Sequence, residues 1–281
     1  MEFTKIGTQQ IVLLILGAGI FFIVPLVLAI VWKVKKKEPV KTILTGAVIF
    51  FLFAIVLEKP IQNMLVFPNV MGLPDHAAAQ YINSRLILWA FIVGLFPGVF
   101  EETGRLVAYK TVLKKQKNRE TAISYGIGHG GFEVMLILGM TYVSYISLAF
   151  MINSGVVGTV IEEARAKAPG SVAQVYTIAE QLAVFSGGDL LIGIVERIFA
   201  VMFHIGASIL VFYACKDKTK FWLYPLAIVL HTALDGIAAL TMVGVLTIPG
   251  WTLEIIVALF GSIVFFGAYF LLYKKDTLKE E

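Results

Sequence analysis

The sequence has a single cysteine, Cys215, among 281 residues. One thiol supports no disulfide framework and no cysteine-rich metal site. Charge is scarce too: Asp, Glu, Lys and Arg make up 15% of the chain, against about 25% in an ordinary soluble domain. Hydrophobic residues fill 58% of the positions, and the mean hydropathy is +0.86. A soluble fold of this size has no interior large enough for so much apolar surface, so most of it must meet lipid. Internal repeats and low-complexity segments are absent as well.

What is plentiful is the long apolar run. Residues 10–32, 42–57, 86–99, 134–151 and 251–273 are almost unbroken, and about 20 helical residues cross the hydrocarbon core. Lipid offers no hydrogen bonds, so the backbone must satisfy itself within each segment, as a helix does. The expectation is an all-α, polytopic membrane protein of about seven spans, near 9–32, 41–57, 85–109, 121–151, 189–214, 221–245 and 251–273. One integral membrane domain over 1–281 is the economical description. The first run is longer than the apolar part of a signal peptide and lacks a small-residue cleavage site. Lys33, Lys35, Lys36 and Lys37 follow it as in a stop-transfer pattern, so it is expected to be retained.

The formal charge is +4 and the pI about 9.0. Of the 23 basic residues, 16 lie in 33–41, 110–119, 216–220 and the tail after 273. These are every second connection between spans. The positive-inside rule then puts the N-terminus outside and the C-terminus in the cytoplasm of a multi-pass cell-membrane protein. The basic balance is thus a topology signal, and no nucleic-acid partner is expected. Two long connections fall outside. The first, 58–84, contains Pro60, Pro68 and Pro74 and is expected to be largely irregular. The second, 152–188, carries Glu162, Glu163, Arg165 and Lys167 before Pro169-Gly170, and its residues 173–184 are expected to form an interfacial helix. His76, Glu162, Glu163 and Glu254 read as solvated or interfacial.

Ionisable groups within a span cost several kcal/mol of insertion free energy and mark a site by default. Span three has Glu101, Glu102 and Arg105; span four has His129 and Glu133. Span five has Glu196, Arg197 and His204, and span six has His231 and Asp235. Glu101 and Arg105, His129 and Glu133, and His231 and Asp235 are each four apart, on one helical face. Counted from the basic ends, Glu101, Glu102, His129, His204 and His231 all lie roughly 12–17 Å deep. A lone intramembrane histidine is often only hydrogen-bonded packing; three at one depth beside two glutamates are not readily explained so.

The chemistry follows from the residue types. His129, His204 and His231 with a carboxylate could hold zinc with an open position for water. A metal-free alternative has a glutamate and a histidine polarising water, with another histidine and Asp235 at the oxyanion or orienting the bases. Arg105 gives the paired glutamates a counter-charge. Glu133, Glu196 and Arg197 are secondary candidates. The run Gly126-Ile127-Gly128-His129-Gly130-Gly131 follows no strand and leads to no Lys-Ser or Lys-Thr, so it is not a phosphate loop. Gly126 and Gly130 instead form a small-xxx-small face for close helix approach beside His129.

These residues resemble a known group. Glu101-Glu102-Thr103-Gly104-Arg105, Gly128-His129-Gly130-Gly131-Phe132-Glu133, His204 and His231-Thr232-Ala233-Leu234-Asp235 look like the YhfC-type intramembrane metalloprotease family. They are more distantly similar to the CAAX-processing and bacteriocin-processing superfamily, with its E-E-x-x-x-R, aromatic-x-x-x-H and H-x-x-x-N/D motifs. Tyr125 with His129 fits the second and His231 with Asp235 the third; the glutamate pair departs from the first, with two intervening residues before Arg105. The layout also looks like the γ-secretase scaffold subunit, a non-protease of that broad group. The resemblance implies an intramembrane endopeptidase acting on membrane-associated peptides or proteins. In it Glu101 or Glu102 activates water, and His129, His204 and His231 bind a metal or share proton transfer. Asp235 orients His231, and Arg105 holds the glutamates. The competing expectations are a non-catalytic scaffold or chaperone that docks partner helices on this cluster and, ranked last, an ion or proton transporter.

Overall fold

The computed structural model describes residues 3–167 and 171–276. Pro169, Gly170 and the basic Lys279 lie outside them. The described chain is helical, with no strand among the described residues. Seven segments are long and apolar enough to cross a membrane: Thr8–Lys36, Val40–Val66, Leu86–Lys110, Glu120–Ser154, Gly187–Lys216, Lys218–Met242 and Gly250–Tyr273. Their outward surfaces carry bare aliphatic side chains, such as Ile87 and Ile263, each 71% exposed. That is lipid-facing chemistry, since water would drive such patches together.

The helices are α1 (Thr8–Lys36), α2 (Val40–Phe50), α3 (Lys59–Val66), α4 (Ala77–Asn83), α5 (Leu86–Lys110), α6 (Glu120–Glu133) and α7 (Met140–Ser154). Then come α8 (Val157–Lys167), α9 (Ser171–Ala183), α10 (Gly187–Lys216), α11 (Leu223–Met242) and α12 (Gly250–Ala268). Helices α2 and α3 are joined by π-helical turns at Phe51–Glu58, and α6 and α7 by π-helical turns at Val134–Gly139. The expected loop after residue 57 is therefore corrected: the second span runs on to Val66. Pro60 does not stop it: the backbone stays helical from the π-helical Phe51–Glu58 straight into α3. Span four likewise runs three residues past its expected end. The expected helix at 173–184 is α9.

Two compact units make up the chain. The first comprises Met1–Val24 and Val134–Ile194. In it Ile6 and Asn153 exchange two hydrogen bonds of 2.8 Å, Phe3 stacks on Tyr176, and Phe21 meets Tyr142 edge-on.

The second unit, Pro25–Glu133 and Val195–Glu281, holds every ionisable candidate of the sequence reading. Its helices approach through glycines. A Cβ on Gly128 of α6 would fall 1.9 Å from the carbonyl oxygen of Ile43 on α2, and one on Gly98 of α5 would fall 2.4 Å from Thr232 Oγ1 on α11. Residues 203–214 of α10 are all buried, making it the central helix of this unit. The basic connections gather at one end. Asn118 donates to Glu38 (2.8 Å), Lys216 to the Lys117 carbonyl (2.7 Å), and Arg119 to the Tyr273 carbonyl (3.3 Å).

Candidate functional site

Helix α5 presents the glutamates. Pro97, one turn before Glu101, has no N–H, which frees the carbonyl of Val93 four residues back. Gln62 of α3 supplies the missing donor, its Nε2 lying 3.2 Å from that oxygen. A polar residue in the second span is thereby explained, and the proline-containing stretch of α5 is tied down just before the site.

The carboxylates then diverge. Glu101 Oε2 lies 2.8 Å from His129 Nε2 on α6, while Glu102 Oε1 accepts from His231 Nδ1 on α11 at 2.8 Å. Arg105 is fully buried and pairs with Glu102, not with Glu101 as the four-residue spacing suggested. Positions three and four apart are both within helical reach, and the commitment of Glu101 to His129 decides between them. Arg105 also donates to Ser208 (3.2 Å) and to His204 Nδ1 (2.6 Å) on α10. A guanidinium can only donate, so Nδ1 is the acceptor and Nε2 carries the ring proton in this geometry.

His204 Nε2 and Glu133 Oε2 approach to 2.5 Å, yet that oxygen lies off the ring N–H direction and has no hydrogen-bond partner. The contact is charge against ring edge without the alignment of a hydrogen bond. Arg197 of α10 reaches Glu133 at 3.3 Å and folds back onto Glu196, its neighbour in sequence. Adjacent residues point apart on a helix, but a side chain as long as arginine closes that gap.

His231 faces a carboxylate at each ring nitrogen. Its Nδ1 is held by Glu102, and its Nε2 lies 3.5 Å from Asp235 and 4.0 Å from Glu101. A cavity of about 100 Å³, room for a few waters, lies among Glu101, Glu133, Arg197, His204, His231 and Asp235. Ala200, Phe203, Leu234, Ala238 and Val257 close its apolar side. Glu102 does not line it.

All ten intramembrane candidates thus fall in or beside one cluster, with Glu196 and Arg197 at its edge. One donor atom from each of Glu101, His129, Glu133 and His204 lies within 4.8 Å of the other three. Glu133, a secondary candidate, joins this group, while His231, expected among the metal ligands, stays outside it.

Two buried carboxylates change their reading. Glu58, 1% exposed at the end of the Phe51–Glu58 turns, lies within electrostatic reach of His231 and Asp235. It bonds Lys59 at 3.3 Å and leaves Oε2 unpartnered. It was missed because the second span was ended at residue 57; the apolar character of 61, 64, 65 and 66 was the available signal. Glu254, expected at the interface, is only 6% exposed on α12, with Oε2 unpartnered. Packing of α12 within its unit, which the sequence does not encode locally, buries it. His76, Glu162 and Glu163 are exposed as expected, and His76 caps α4 through the Ala79 N–H.

The profile of the YhfC intramembrane metalloprotease family matches residues 20–257. A curated relative, the uncharacterized membrane protein YhfC of Bacillus subtilis (strain 168), is 33% identical over 261 residues, covering 92% of this chain and 95% of that protein. The chain belongs to the YhfC intramembrane metalloprotease family. No solved structure matches it. Membership makes this a multi-pass membrane protein, in agreement with the seven apolar helical segments. The metal in the family's name can be tested against the residues present. Two carboxylates and two imidazoles are oxygen and nitrogen donors suited to zinc and similar divalent ions. Glu133 Oε2 is buried among them without a hydrogen-bond partner, as a ligand oxygen would be. This donor set fits a divalent metal. For His204 Nε2 to join it, the ring proton must move to Nδ1 and the Arg105 contact must lengthen.

Proposed function

We propose that the protein is an intramembrane endopeptidase that hydrolyses peptide bonds of membrane-associated substrates. The observation that carries this reading is the convergence of Glu101, His129, Glu133 and His204 within 4.8 Å, beside a cavity that His231 and Asp235 also line. His129, Glu133 and His204 would hold the metal, a two-histidine, one-carboxylate set that leaves a position for water, as catalytic zinc sites do. The metal, when bound, polarises the scissile carbonyl and acidifies water.

Glu101 is the general base. It borders the cavity, where Glu102 does not, and among the described residues its carboxylate hydrogen-bonds only to His129. It takes the proton of the attacking water and returns it to the departing amine. His231 is turned by Glu102 so that Nε2 faces the cavity, where an N–H can donate to the developing oxyanion. Asp235 holds that edge of the ring from 3.5 Å. Arg105 fixes Glu102 and ties it to α10 through Ser208. The gathering of basic connections at one end of the second unit supports a cytoplasmic C-terminus and a site opening toward that half of the bilayer.

The test is cleavage of a membrane-peptide substrate by purified protein, with Glu101→Gln and Glu102→Gln made separately and together. Loss of cleavage in Glu101→Gln with retained fold is expected. Undiminished cleavage sinks the assignment. Absence of cleavage in the unaltered protein, with polar substitutions weakening partner assembly, establishes the scaffold reading instead.

A further inference from the structure

A second polar cavity lies at the end of the second unit where the basic connections gather. It measures about 490 Å³ and is bordered by Tyr213, Lys216, Lys220, Leu271, Leu272 and Lys275. Its position follows from the helices. Lys216 is the last residue of α10, Lys220 ends the short turn Lys218–Lys220 before α11, and Lys275 lies two residues beyond the π-helical Tyr269–Tyr273 that ends α12. Three chain segments therefore deliver an ammonium each to one hollow at the ends of membrane spans, the level at which headgroups lie.

The charges there do not cancel. Asp276 and Asp217 are the acids on the wall. Asp276 accepts from Tyr213 Oη at 2.7 Å and from Lys216 Nζ at 3.0 Å. That pair shows what Tyr213 and Lys216 do with an oxyanion: hydroxyl and ammonium converge on one oxygen. Asp217 is spent on its own turn, accepting from the Thr219 N–H at 2.9 Å and hydroxyl at 2.7 Å and facing Lys220 at 3.2 Å. The Lys220–Asp217 pair is open to solvent on both sides, so it holds Lys220 only weakly. Lys275 pairs with no carboxylate among the described residues. Among the described residues one positive charge is in surplus.

The wall also changes character along its depth. Leu271 and Leu272 lie in the π-helical Tyr269–Tyr273, just before Lys275 in the chain, and Leu271 is 64% exposed. A soluble anion has no use for that apolar strip, whereas an acyl chain does. We propose that this cavity binds the phosphodiester headgroup of an anionic phospholipid, held by Lys220 and Lys275 beside the Tyr213–Lys216–Asp276 contact, with an acyl chain along Leu271 and Leu272. One negative headgroup balances the surplus lysine, and basic pockets between membrane helices recognise lipid phosphates by this chemistry. The site stands independently of the peptidase reading.

The experiment uses the full chain, purified in a neutral detergent, and measures binding of phosphatidylglycerol, phosphatidylcholine and sn-glycerol 3-phosphate by native mass spectrometry. It compares the unaltered protein with Lys220→Gln, Lys275→Gln and the double variant; these lysines touch no part of the catalytic cluster. Phosphatidylglycerol is expected to be retained over phosphatidylcholine, and each lysine removed to weaken it about fivefold. Leu271→Asn should weaken the lipid and leave glycerol 3-phosphate unaffected. Equal retention of the two lipids overturns the proposal, as does unchanged phosphatidylglycerol binding in the double variant. Glycerol 3-phosphate binding as tightly as the lipid overturns the lipid assignment.

Discussion

Glu101 and Glu102 are consecutive on α5, yet their carboxylates go to different helices: Glu101 meets His129 of α6 at 2.8 Å, and Glu102 meets His231 of α11 at 2.8 Å. Successive residues on a helix are about 100° apart, so a glutamate pair reaches two neighbours at once. The same divergence gives Glu101 the cavity and Glu102 the buried Arg105.

The two glutamine substitutions should therefore fail in different ways. Glu101→Gln is expected to abolish cleavage with little change in melting temperature. Glu102→Gln leaves the fully buried Arg105 without its carboxylate, a loss of about 3–5 kcal/mol for such pairs. Thermal melts of both variants beside their cleavage rates make the comparison; a Glu102→Gln protein as stable as the parent contradicts it.

Metal content separates ligands from oxyanion donors. His129→Ala, Glu133→Gln and His204→Ala should each lose stoichiometric metal on purification. His231→Ala should keep the metal and lose activity, because its Nδ1 is committed to Glu102 and it lies outside the converging donors. Elemental analysis after dialysis decides, and metal loss in His231→Ala alone would reverse the two roles.

Gln62 and Pro97 should be coupled. Gln62→Leu strips the Val93 carbonyl of its donor, at a cost of about 1–3 kcal/mol for a buried unpaired group. Pro97→Ala restores the N–H that can bond that carbonyl within α5. In the Pro97→Ala background, Gln62→Leu is expected to cost markedly less, a departure from additivity readable in a double-mutant cycle of melting temperatures. Additive losses would mean that Gln62 does not serve the carbonyl freed by Pro97.

Gly128→Ala tests packing apart from chemistry. Its Cβ would collide with the backbone carbonyl of Ile43 at 1.9 Å, and backbone cannot swing aside as a side chain can. A loss of about 1–3 kcal/mol or more is expected, seen as faster proteolysis in detergent. Gly130→Leu should also disturb the site, since even a Cβ there comes 3.1 Å from His204 Cβ. Folding and activity unchanged in Gly130→Leu would show that the glycine is not needed for close approach at His129.

Glu254 is buried with an unpartnered Oε2, near Glu196 and Arg197. Replacing it with leucine removes an unsatisfied polar group, so the melting temperature should hold or rise. A clear fall would show that Glu254 takes part in the charge balance around Arg197.

The sequence by itself determined the solvent, the seven spans and the roster of polar residues within them. Those are local properties: a run of apolar side chains meets lipid whatever lies beside it, and Glu101, His129, His204 and His231 are conspicuous because lipid penalises them one at a time. Helical spacing also placed His231 and Asp235 on one face, as the 3.5 Å contact bears out. Partner choice was another matter. Arg105 took Glu102 instead of Glu101, Glu133 came among the converging donors while His231 did not, and Glu58 and Glu254 turned inward. Each of these depends on how far one helix is rotated and tilted against the next, set by backbone contacts such as Gly128 on Ile43 and Gly98 on Thr232. A rotation of one residue sends a carboxylate about 100° around its helix, so only the packed tertiary structure decides which buried charges meet.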